Sequence, residues 1–331
     1  MLSAGQRTGK LQDKSTISDR RSHSRLILFP PFDDSLITMN IQFFSLTPKV
    51  SRQTVGWLAI FGSAFFFYLA TLIIRWSAPH VTIESAYFVF ARLLLGFIVV
   101  SLSMVLQKKK IHPKNYHYLI GRTVANTIAV FCFYKAVELG SVAEANILNM
   151  TYPLFVAVFS CFFLRGQRDL LSLIGVVIAF SGVWLVLSPN DIAISWGNLW
   201  GLSSGITAAA AIIYLNISRR YHDSQTILFF MFGLGTALML IFFNDAIFWP
   251  NSVELFYLLS CSLAGVLGQY LITYGFLYVT AVEGSIISSS RILLAALLGP
   301  VLVADPALTV SGWCGALLIF SANVMLALKK A

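Results

Sequence analysis

Hydrophobic runs of membrane length dominate this chain, and polar residues interrupt them at recurring places. From residue 55 onward ten apolar runs alternate with short polar segments, at about 55–74, 84–106, 117–138, 143–164, 170–188, 196–216, 225–243, 254–278, 282–303 and 309–328. Each is roughly 18–25 residues long, the length at which a helix crosses about 30 Å of hydrocarbon. The pattern predicts an all-α integral membrane protein with ten transmembrane helices. The fourth run stands apart. Ser141-Val142-Ala143-Glu144 has the form of a capping box, and the apolar residues after it are interrupted by Asn146, Asn149 and Pro153. Proline removes a donor and crowds the carbonyl four residues back, here that of Asn149. A break of that kind inside a membrane needs protein or a water-filled cavity to satisfy the freed groups.

A second version of this stretch occurs 139 residues later. Thr280-Ala281-Val282-Glu283 parallels the capping box, Ser285 falls on Asn146, Ser288 on Asn149 and Arg291 on Tyr152. With one residue of slip, Gly175, Phe180 and Ser181 fall on Gly315, Phe320 and Ser321, and Gly56 parallels Gly197. Five runs per half is an odd number, so the halves are predicted to lie upside down relative to each other. Two inverted five-helix repeats are a construction from which secondary transporters build alternating access. The expected division is a disordered cytoplasmic tail at 1–52, a first repeat at 53–190 and a second at 191–331. Leu26–Phe32 is too short for a signal-peptide core and carries Pro30-Pro31. Met39 is a candidate start, and intact mass of the native protein would test it.

Composition agrees: 57% of residues are hydrophobic and 11% charged, where a soluble domain has about a quarter charged. The net charge of +9 would fit nucleic acid, but its placement argues otherwise. With the N-terminus inside, 18 of the 23 basic residues fall on cytoplasmic segments, only Arg75 falls outside, and Arg92, Arg122, Lys135 and Arg291 lie within spans. This is the positive-inside asymmetry, and it places both termini in the cytoplasm. Cys132, Cys161, Cys261 and Cys314 all sit in apolar runs without paired spacing, so neither a disulfide framework nor a zinc site is expected. The five histidines lie in the tail or near loops without metal spacing.

Ala91-Arg92 in the second run, the segment Tyr134–Glu144, Pro153 and the glycine-bearing fifth and tenth runs together resemble the EamA-like branch of the drug/metabolite transporter superfamily. The resemblance covers about residues 55–328. It implies that spans 1–4 and 6–9 surround a central cavity, with spans 5 and 10 packed peripherally. Arg165-Gly166-Gln167 departs from the Gly-Glu motif that often ends span 4 in that family, and Asp305-Pro306 stands at the corresponding place after span 9.

A charge near the bilayer centre is costly and tends to face a cavity or a partner. Depth therefore ranks the candidates. Arg291 lies near the middle of the ninth run, with Ser288 one turn before it, and suits an anionic substrate group. Arg92, Asn126, Asn146, Asn149 and Tyr274 complete the expected substrate-binding set. Tyr152, Tyr214, Gln269 and Tyr270 are secondary candidates. Arg122 is expected to snorkel to the cytoplasmic face, Lys135 and Glu138 to pair at i,i+3, and Glu84, Glu144 and Glu283 to serve as helix caps. Gly201…Gly205 reads as close helix packing, and Gly265…Gly268 as packing or a hinge.

The expected function is secondary, non-ATP-driven transport of a small organic metabolite, first an amino acid or related carboxylate, in the cytoplasmic (inner) membrane. The alternatives are a membrane-embedded enzyme acting on a lipid-linked substrate, or a non-transporting scaffold. Catalysis is disfavoured because the deep ionisable groups are arginines, which stay protonated. No cofactor, metal or nucleic acid is expected. The partners are a small-molecule substrate and the lipid bilayer, with a coupling ion and a homodimer left open.

Overall fold

The computed structural model describes residues 51–109, 111, 113–163, 170–187, 195–275, 278–279, 281–303 and 307–328. Residues 1–50 with the candidate start Met39, Arg165-Gly166-Gln167 and Asp305-Pro306 lie outside the described residues. The regular elements among the described residues are helices: α1 (Arg52–Ser77), α2 (Ser85–Leu106), α3 (Tyr116–Leu139), α4 (Val142–Asn149), α5 (Tyr152–Phe163), α6 (Leu170–Leu187), α7 (Trp196–Ser218), α8 (Ser224–Phe242), α9 (Ser252–Gly275), α10 (Ala281–Leu302) and α11 (Val310–Leu328), with a 3₁₀ turn at Asn244–Ala246. Helices α4 and α5 together make the fourth span, so the eleven helices form ten transmembrane spans.

Apolar length drives this architecture. Helices α1, α2, α8, α9 and the Trp196–Leu215 part of α7 are each long and apolar enough to cross a membrane. Large apolar side chains also cover the outside, among them Leu102, Val105 and Leu106 on α2, Ile241 and Phe242 on α8 and Val301 on α10. Such a surface belongs against lipid tails, where every backbone polar group must be satisfied inside the helix. The chain is an integral membrane protein.

Helix pairing follows the inverted repeat. Span 1 packs on span 8 (α1 on α9) and its image pairs span 6 with span 3 (α7 on α3). Spans 2 and 7 (α2 and α8) pair across the axis, as do spans 5 and 10 (α6 and α11). Glycines mark the same symmetry. A Cβ on Gly56 of α1 would come 3.2 Å from the carbonyl oxygen of Gly275, at the end of α9. A Cβ on Gly197 of α7 would come 2.9 Å from the Cα of Gly140, just past α3. These are two copies of one crossing, and Gly56 and Gly197 are a pair that the sequence repeat matches. Helices α6 and α11 cross at Gly182 and Gly315, and otherwise contact α4, α5 and α10.

The fourth span is broken rather than kinked. Ser141 caps α4, its Oγ accepting from the Glu144 N–H at 3.1 Å. The helix stops at Asn149, and Met150 and Thr151 separate it from α5. Pro153 is the second residue of α5, a first-turn position where a missing donor costs nothing. The freed Met150 carbonyl accepts from Asn323 Nδ2 of α11 at 2.9 Å, and the Thr151 hydroxyl donates to the Leu148 carbonyl at 2.6 Å. Gly205 of α7 packs against the break: a Cβ there would strike Thr151 Oγ1 and lie 2.8 Å from the Leu148 oxygen. In the other half α10 runs unbroken through Arg291, because its one proline, Pro300, comes near the helix end.

Candidate functional site

A cavity of about 1000 Å³, its open mouth included, lies between the two repeats. Its wall is built from α1, α2, α3, α4, α5, α7, α9 and α10, and no described residue of α6 or α11 lines it. It runs from the middle of the bundle toward the end that holds the start of α3, the end of α7 and the end of α9. A smaller space of about 270 Å³ continues it there, sharing Arg122, Arg219, Gln269 and Thr273 and reaching the first turns of α8. At the opposite end the bundle is tied shut. Glu138 of α3 pairs with Lys135 and accepts from the Ser85 N–H of α2 at 2.9 Å. Trp76 of α1 donates to the Leu302 carbonyl of α10 at 2.8 Å, and the Tyr87 hydroxyl to the Phe248 carbonyl at 2.7 Å.

The deep part of the cavity is organised by two arginines. Arg291, on α10, is 5% exposed and donates to Asn149 Oδ1 across the seam between spans 9 and 4. The Asn149 amide donates in turn to Ser204 Oγ of α7 at 2.9 Å, which hands on to the Gly201 carbonyl at 2.6 Å. Arg92, on α2, is 6% exposed and donates to the Tyr134 hydroxyl of α3 at 3.0 Å. Both guanidiniums approach the ring of Phe67, Arg92 at 5.2 Å and Arg291 at 5.9 Å from its centroid, and Arg291 also lies 5.1 Å from that of Phe133. Cation–π contact of this kind stabilises a desolvated guanidinium without cancelling its charge. Space for the pair comes from α9: a Cβ on Gly265 would sit 2.7 Å from Arg92 Cδ, and one on Gly268 2.8 Å from the Phe67 ring.

Five of the seven expected site residues line this cavity: Arg291, Asn149, Ser288, Asn126 and Arg92. Two do not. Asn146 is fully buried and donates to Thr71 Oγ1 at 3.2 Å and to the Val142 carbonyl at 2.8 Å. It braces α4 against α1, one helical turn before Asn149. Tyr274 is exposed and meets the Tyr278 hydroxyl at 3.3 Å. It follows cavity-lining Thr273, and one residue along a helix rotates the side chain by about 100°, away from the cavity. Of the secondary candidates, Tyr152 and Gln269 are on the wall; Tyr214 and Tyr270 are not.

Two expectations change. Arg122 does not snorkel: it is 5% exposed, lines the cavity, and its Nε is buried without a hydrogen-bond partner. Glu84 occupies the N-cap of α2 but makes no capping bond with its side chain; Glu138 serves the first turn from α3 instead. Gly265 and Gly268 lie where α9 packs on α2 and α1, and make room there for Arg92 and Phe67. Sequence reasoning missed Arg219 and Asn323. Arg219 looks like a loop charge but lines both the cavity and its extension. Asn323 sits in an apolar run, and its one signal was being a lone amide there.

The EamA-like transporter family model matches the chain twice, at residues 54–188 and 195–328. The chain is 28% identical over 215 residues to a protein of Helicobacter pylori named an uncharacterized transporter, covering 62% of this chain and 72% of that one. It is 26% identical over 228 residues to the pseudopaline exporter CntI of Pseudomonas aeruginosa, covering 68% of this chain and 78% of the exporter. Over 229 residues it is 23% identical to solute carrier family 35 member G1 of Mus musculus, covering 64% and 61%. A solved crystal structure shares the fold with a TM-score of 0.56 at 17% identity, covering 83% of this chain and 96% of its own.

Proposed function

Because the chain belongs to the EamA-like transporter family, and is by that membership a membrane transporter of a small molecule, we propose that it is a secondary, non-ATP-driven transporter of a small organic anion. An amino acid or related carboxylate is the leading substrate. The observation that carries this reading is the Arg291–Asn149 contact on the cavity wall, where the two repeats meet. A guanidinium whose hydrogen-bond partner is a neutral amide keeps its charge for a carboxylate, and the Ser288 hydroxyl beside it is buried without a partner.

Alternating access follows from the symmetry. The cavity is reached from one end while hydrogen bonds between elements hold the other. Rocking of one repeat, up to about residue 190, against the other would exchange the two ends around a fixed site. The positive-inside asymmetry puts both termini and the open end in the cytoplasm, in a cytoplasmic (inner) membrane. In that orientation the structure is inward-facing. Substrate leaves unaltered on this reading, since the cavity wall carries arginines and amides rather than an acid–base pair.

Counterflow in proteoliposomes loaded with amino acids and small carboxylates tests the proposal. Arg291→Ala is expected to abolish counterflow and Arg291→Lys to retain a fraction, since a lysine keeps the charge but loses the planar fork. Unchanged kinetics in both variants would remove Arg291 from the site.

A further inference from the structure

Four arginines, Arg92, Arg122, Arg219 and Arg291, line the one cavity, and no acidic side chain lines it among the described residues. They form two tiers. Arg92 and Arg291 share the Phe67 ring at the deep end. Arg122 and Arg219 stand at the mouth, where the cavity continues toward α8. Position along α3 separates them: Arg122 begins the wall and Phe133, beneath Arg291, lies three turns further on, roughly 16 Å at the backbone. Long side chains from both tiers shorten that gap.

The hydrogen-bond partners of the deep tier are neutral, Asn149 and Tyr134. Arg122 and Arg291 each keep a buried Nε–H without a partner. Taking a guanidinium out of water is costly unless an opposite charge meets it; Arg92, Arg122 and Arg291 are buried and Arg219 half-buried, and within each tier the two cations also repel. No opposite charge on the described wall meets them. A ligand with a single anionic group would balance one tier and leave the other.

We propose that the substrate is an organic anion with two separated acidic groups, one held by Arg92 and Arg291 and the other by Arg122 and Arg219. This rests on the transport reading above and narrows its substrate class. Carboxylate and phosphate groups share the chemistry that a guanidinium fork recognises. The deep tier would set binding, and the mouth tier would select ligands with two acidic groups over ligands with one.

Pairs that differ by one acidic group test it. The full-length protein in nanodiscs would be titrated with glutamate against glutamine and with O-phosphoserine against serine, with citrate as a third probe, following thermal stabilisation. The expected result is that an acidic probe binds at least about tenfold more tightly than its neutral counterpart. Arg219→Gln and, separately, Arg122→Gln should shrink that difference about tenfold and leave the neutral member unchanged. Lysine at either position should restore part of it. Arg219 is only half-buried at the end of α7, so its variant keeps the test open should Arg122→Gln fold poorly. Equal binding within every pair, no binding by any acidic probe, or a difference untouched by both mouth variants overturns the proposal. Counterflow separates the two readings. Selectivity for two acidic groups without counterflow sinks transport and leaves the two-tier site. Counterflow with no preference for a second acidic group sinks the two-tier site and leaves transport.

Discussion

Two asparagines one turn apart on the same short helix have different tasks. Asn149 ends α4, where the chain breaks, and its amide ties the first repeat to both Arg291 and Ser204 of the second. Asn146 closes a bond to its own helix and a second to Thr71. Asn149→Ala should therefore remove a buried acceptor from a cation, cost about 1–3 kcal/mol of stability and lower substrate affinity. Asn146→Ala should lower the unfolding temperature and leave the KM of transport unchanged. Measuring both quantities on both variants checks the assignment; a KM effect at Asn146 as large as that at Asn149 would contradict it. Arg122 shows why depth read along a sequence misleads at helix ends. It lies six residues into α3, close enough to the interface to reach water, yet the mouth of the cavity brings the aqueous path to it.

At the scale of elements, the organising event is the break between α4 and α5, and what tolerates it comes from other helices. Asn323 of α11 bonds the freed Met150 carbonyl, and Gly205 of α7 leaves room for the Thr151 turn. Gly205→Ala would force a methyl group against Thr151 Oγ1 and the Leu148 carbonyl, and is expected to destabilise by about 1–3 kcal/mol as overpacking. Gly299→Ala is the contrasting case. Among the described residues its Cβ would meet the Ala143 Cβ at 3.8 Å, an ordinary contact, so alanine should cost less than about 1 kcal/mol, its gain in helix propensity offset by crowding of the Cβ against the following Pro300. Thermal unfolding in detergent distinguishes them, and equal losses would mean that the break does not depend on close approach by α7. The requirement for a partner at Pro153 was legible in the sequence. Its identity was not, because Asn323 is 170 residues away and nothing local marks it.

At the scale of the whole molecule, the pairing of α1 with α9 and of α7 with α3 knits each repeat into the other, so neither half encloses the cavity alone. One end is tied by Glu138, Trp76 and Tyr87, and the other is lined by Arg122 and Arg219. In a background without other cysteines, Asn126→Cys should react with a membrane-impermeant maleimide added from the Arg219 side and stay protected from the other. Adding Glu138→Ala and Tyr87→Phe should raise labelling from the tied end several-fold, since each removes a bond that holds it. Equal labelling from both sides of the unaltered bundle would mean that the tied end is not a barrier.

The linear chain by itself determined the ten spans, their inverted repetition and the expectation of a central site, because span length, odd span count and charge placement follow from the bilayer and need no knowledge of neighbours. Its depth argument also found Arg92 and Arg291, since a mid-membrane cation must face something polar. Only the tertiary structure decided which polar residues share a cavity. Helical phase turned Tyr274 outward, an intrahelical bond and Thr71 claimed Asn146, and the approach of α7 and α9 brought Arg219, Gly265 and Gly268 to the arginines. Those outcomes depend on contacts between helices distant in sequence, which the apolar pattern along any one helix does not encode.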